Sequence, residues 1–138
     1  MNLDLVLKNL PALFSAVLVS ILFLQSGLDK VLDWSGNLAF IKDHFAKTFL
    51  APTVPMMLAT ITVLEIATGA LAAIGIIYFL MTGSLLLIFY GSIVGTAALT
   101  ALFFGQRVAK DYPGAAVLIP YFLLLIVLMI LTNPHLKV

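Results

Sequence analysis

The chain has 138 residues, 63% hydrophobic and 9% charged, with a formal net charge of +1. A soluble domain carries roughly 25% charged residues, so this composition excludes a largely water-facing surface and fits one that faces lipid. The near-zero net charge gives no basis for nucleic-acid binding, and the absence of cysteine excludes dithiol chemistry, thiol nucleophiles and thiolate metal sites.

In chain order, Met1 to Lys8 carries one acid and one base rather than a positive leader. The apolar run after it is too long for a signal-peptide core, so it is expected to be a retained helix. This first span is predicted over residues 11–28, with Pro11 at a first helical position where its missing N–H costs nothing. Asp29, Lys30 and Asp33 mark its exit. A long connection follows, from Asp33 to Pro52, and residues 37–50 are predicted to form an amphipathic helix lying at the membrane interface. Ser35 or Asn37 would cap it, and Trp34 suits the headgroup layer at its start. At 100° per residue, Leu38, Ile41, Phe45 and Phe49 share one face, and Asp43, His44 and Lys47 the other. This helix reads as a lid over one end of the bundle, with a gate or partner-docking surface as the alternative.

The second span is predicted over residues 54–79, with a tight turn around Leu80–Met81–Thr82. The third covers residues 83–104, and the fourth residues 113–132 after the charged turn from Gly105 to Tyr112. Each is near the roughly 20 residues that cross hydrocarbon. The predicted fold is an all-α polytopic bundle of four transmembrane helices, one domain over residues 1–138. Gly91 and Gly95 in span three, and Gly69 with Ala72 and Ala73 in span two, form small-residue stripes that let helix backbones approach closely. The sequence leaves open whether they pack within one chain or between copies.

Glu65 is the residue that most needs explaining. It lies 11 residues into span two, about 16 Å along the helix and near mid-bilayer. A carboxylate there costs at least about 2.5 kcal/mol. It is therefore expected to face inward and find a partner or a proton. Two partners come from the same end of the bundle: Arg107, whose fork matches a carboxylate and which Asp111 would hold from the far side, and Lys30, which Ser26 extends inward one turn earlier. Mid-span Pro120 removes an N–H and frees the carbonyl of Ala116, and Tyr121 and Gln25 are expected to add polar atoms. The predicted site is thus a polar cluster of Ser26, Lys30, Glu65, Arg107, Asp111 and Tyr121 in one half of the bundle. The reading is evenly divided between a structural ion pair that fixes helix register and a small-ligand or proton site. His44 and His135 lie far apart, so no metal is expected.

Lys30, Lys42, Lys47, Arg107 and Lys110 fall on one membrane side and Lys8 and Lys137 on the other. The positive-inside rule taken alone would put both termini outside.

The stretch Phe23–Leu24–Gln25–Ser26–Gly27–Leu28–Asp29–Lys30, the Glu65-xxx-Gly69 of span two, and the charged turn before a proline-containing last helix resemble the DoxX family of small bacterial membrane proteins. The four-span layout with its long first connection is similar too, so the resemblance covers nearly the whole chain. It implies a multi-pass protein of the bacterial inner membrane with cytoplasmic termini. It also implies links to thiosulfate–quinone oxidation or oxidative-stress complexes, and so a quinone as the candidate cofactor. The bundle also looks like that of vitamin K epoxide reductase, whose thiol chemistry the lack of cysteine excludes here.

The leading expectation is an accessory subunit or assembly factor of a membrane complex, partnered by the bilayer and by other membrane subunits or a second copy. The alternative is a small-ligand or quinone-binding membrane protein using the Glu65 pocket, and a small transporter is weaker. A stand-alone enzyme is not expected, because the sequence offers no nucleophile–base pair, phosphate loop or metal cluster.

Overall fold

The computed structural model describes residues 2–136. Among them the ordered elements are α-helices and one short 3-10 turn: α1 (Leu3–Lys8), α2 (Leu10–Leu32), α3 (Trp34–His44), α4 (Val54–Thr82), α5 (Leu86–Val108) and α6 (Tyr112–Thr132). Four of these, α2, α4, α5 and α6, are long and apolar enough to cross a membrane. Neighbours in sequence pack as neighbours in space: α2 on α4, α4 on α5, α5 on α6, with α6 closing more lightly on α2.

The bundle core is small and branched. Ala16, Val19, Ile88, Ala98, Leu125 and Leu128 are fully buried. The outer faces carry exposed Phe14, Ile21, Val63, Ile74, Val117 and Leu123. Large exposed apolar side chains on every long helix suit a lipid solvent rather than water.

Glycines set the helix spacing. A Cβ on Gly69 would sit 2.8 Å from the backbone nitrogen of Leu24, and one on Gly75 would sit 2.8 Å from that of Ile88. The stripes are therefore internal contacts: Gly69 meets α2, and Gly91 and Gly95 meet Leu71 and Thr68 of α4.

Several boundaries differ from expectation. α2 runs one turn further, to Leu32, which keeps Lys30 on the helix. The turn after α4 is Gly83–Leu85, not Leu80–Thr82. It forms there because Gly83 takes φ +77° and closes the helix through its N–H to the Phe79 carbonyl. The lid helix is earlier and shorter than residues 37–50. Asp33 caps it by accepting from the Gly36 N–H, so Ser35 and Asn37 lie inside it. It ends at His44, which leaves Phe49 exposed beyond the helix rather than on its inner face. The short α1, capped by Asn2, is an addition to the predicted elements.

Candidate functional site

Glu65 faces inward and is 2% exposed. Its partner is Lys30, not Arg107. The Lys30 ammonium lies 3.0 Å from Glu65 Oε1 and 3.3 Å from Oε2. It also donates to the Ser26 hydroxyl at 2.9 Å and reaches the Ser26 carbonyl at 3.3 Å. The helices come together here because Gly27 has no side chain: a Cβ on it would lie 2.6 Å from Ile66 Cγ1. Ser26 and Lys30 are one turn apart on α2, so both face the same point on α4.

The ammonium lies across both carboxylate oxygens, and Glu65 has no other donor among the described residues.

Lys30 also forms part of the wall of a cavity of about 270 Å³ between α3, α4 and α5. Phe40, Ile41 and Phe45 of the lid roof it. Met57, Leu58 and Ile61 of α4 form one side, and Ala101, Leu102 and Gly105 of α5 the other. The lid packs against α5 at Gly105, where Phe45 Cζ lies 3.4 Å from the position a Cβ would take, an ordinary van der Waals distance. The rim includes exposed Phe40, Thr60 and Ala101, so the cavity opens sideways on the outer face of the bundle.

The far wall is a second polar group. His44 Nε2 is 2.8 Å from Gln106 Oε1 and 3.7 Å from Asp111 Oδ2. The link ties the lid to the end of α5. Asp111 is held there by the way α5 ends: its N–H bonds to the Gln106 carbonyl at 2.9 Å while Lys110 takes φ 60°. Its carboxylate then caps α6 through the Gly114 N–H at 3.0 Å.

The six predicted site residues therefore separate. Ser26, Lys30 and Glu65 form one cluster, and Asp111 joins His44 and Gln106 across the cavity. Arg107 is exposed and lies over the Tyr112 ring at 4.6 Å, so neither Glu65 nor Asp111 is its partner. Tyr121 is on the outer face, as is Gln25. Pro120 and Ala116 are also exposed, which puts the freed carbonyl on the outer side of α6 rather than in the cavity.

Sequence reasoning missed His44 and Gln106, although a signal for Gln106 was present. The buried stripe of α5 passes through Ser92 and Leu99, and seven residues on, or two helical turns, is Gln106. Arg107 is rotated by about 100° from that line. No protein-family model, curated protein or solved structure matches the chain.

Proposed function

We propose that this chain is a DoxX-like protein of the bacterial inner membrane that binds a small lipophilic molecule with a polar head. The observation that carries this reading is the lateral cavity, with apolar walls from three helices and polar groups at Lys30, His44, Gln106 and Asp111. A largely apolar hollow with a few convergent polar groups is the usual form of a small-molecule site. Quinone is the ligand class that the resemblance implies. A single-ring head with a short tail suits the volume of the hollow.

The test is binding of a neutral short-tailed benzoquinone to purified protein in nanodiscs. Ala101→Trp, at the rim, should fill the opening and weaken binding by at least about tenfold with the melting temperature preserved. Unchanged binding in that variant would remove the cavity from the proposal.

The second reading is an accessory subunit of a membrane complex. It is favoured by an apolar hollow of about 240 Å³ between α5 and α6, lined by Leu99, Phe103, Leu118 and Phe122 and suited to a partner helix or acyl chain. Native mass spectrometry from mild detergent tests it, and a lone monomer in every gentle condition would count against it. For orientation we follow the resemblance and place the termini in the cytoplasm. The exposed bases Lys42, Lys47, Arg107 and Lys110 on the lid side argue the other way. Because the chain has no cysteine, labelling of single introduced cysteines from each side decides between the two.

A further inference from the structure

Among the described residues Lys30 is the one lysine or arginine on the cavity wall. Its counter-charge, Glu65, lies behind it and does not line the cavity. The other titratable groups on the wall, His44 and Asp111, already face each other at 3.7 Å, and Asp111 also sits at the N-terminus of α6, whose dipole offsets its charge. A ligand entering the cavity therefore meets one cation whose partner is out of its reach.

From this we infer that the cavity also takes lipophilic anions, the conjugate bases of weak acids, and that such an anion binds together with one proton. The inference rests on the cavity being the binding site. The anion takes the Lys30 ammonium as its partner, and Lys30 turns from Glu65 toward the cavity. Glu65 would then be a buried carboxylate with no counter-ion, which a low-dielectric interior does not tolerate. It takes a proton from the aqueous side. Before binding, the site holds one ammonium and one carboxylate. Afterwards it holds one ammonium, one ligand anion and a neutral carboxyl group. The number of buried charges is unchanged, and without the proton it would rise by one. No other bond forms or breaks.

The exchange makes the Lys30–Glu65 pair more than a register device. A purely structural pair would be expected to sit away from any hollow. Here the ammonium is shared between a buried carboxylate and an open apolar chamber.

The test compares 4-butylbenzoate with its neutral analogue 4-butylacetophenone. Isothermal titration calorimetry on the full chain in nanodiscs, at neutral pH in phosphate and in Tris, reads proton uptake from the buffer dependence of the heat. The expected result is uptake of about one proton per benzoate and none per ketone. Glu65→Gln, which no longer competes for Lys30, should bind benzoate at least as tightly and without uptake. Lys30→Met should weaken benzoate by at least about tenfold more than it weakens the ketone. Ketone binding with no benzoate binding overturns the inference and leaves the cavity reading standing, as does benzoate binding without proton uptake. Failure of both probes overturns both. Uptake that persists in Glu65→Gln assigns the proton elsewhere and also overturns it. The wild-type comparison of the two probes decides the matter even where a variant fails to fold.

Discussion

Lys30 Nζ sits 3.0 Å from Glu65 Oε1 across the α2–α4 interface, a contact made possible by the glycine at position 27. The two partners are unequally exposed, 19% for the lysine and 2% for the glutamate. Removing the lysine therefore strands a carboxylate in the interior, whereas removing the glutamate leaves an ammonium whose long stem can carry it outward. Lys30→Met should cost about 3 kcal/mol, Glu65→Leu clearly less, and the double variant should recover most of the loss. Reversible unfolding in mixed micelles measures the cycle, and additive single effects would contradict the pair.

Arg107 makes a different prediction from the one its sequence position suggests. Its guanidinium lies over Tyr112 on the exposed surface. Such contacts contribute about 0.5–1 kcal/mol at exposed sites. Arg107→Gln should shift stability by no more than that and should leave ligand binding unchanged. A loss comparable to that of Lys30→Met would place Arg107 in the interior after all.

The close helix contacts are ranked by what a methyl group would meet. On Gly75 it would lie 2.8 Å from the Ile88 backbone nitrogen, where nothing flexible can give. On Gly91 the nearest atoms are at 3.2 and 3.3 Å. Gly75→Ala should cost about 1–3 kcal/mol and Gly91→Ala less. A reversed order in the same unfolding assay would mean that α4 and α5 do not meet at this register.

Lys110 is the one described non-glycine residue with positive φ, at 60°. A side chain there costs about 1–2 kcal/mol relative to glycine in the left-handed region. Lys110→Gly should therefore raise stability, offset in part by the greater freedom of glycine in the unfolded chain. It should also leave the His44–Gln106 contact intact. Amide exchange over residues 34–44 would report whether the lid stays docked, and faster exchange in this variant would count against it.

The lid shows where reading the residues failed. The apolar spacing of Leu38, Ile41 and Phe45 was legible, and the structure places Phe45 among the buried residues. The helix start was not legible, because Ser35, Asn37 and Asp33 are all competent caps. Which one serves depends on where α2 stops, and Asp33 is the last residue before the chain turns. Phe49 shares the apolar spacing but lies beyond the end of the helix at His44.

Composition and the length of the apolar runs fixed the four long helices, because a lipid-facing surface and the span of a bilayer leave few other solutions. The inward orientation of Glu65 was equally legible, since an ion at that depth has no other inexpensive place to point. Its partner was decided by tertiary structure. Whether Lys30 or Arg107 reaches Glu65 depends on the rotation of α2 and α5 about their own axes, and those rotations are set by glycine contacts at positions 27, 69 and 75 rather than by charge. The same rotations turn Gln106 inward and Arg107 outward, bring His44 under the end of α5, and leave an open cavity beside the one ion pair in the bundle interior among the described residues.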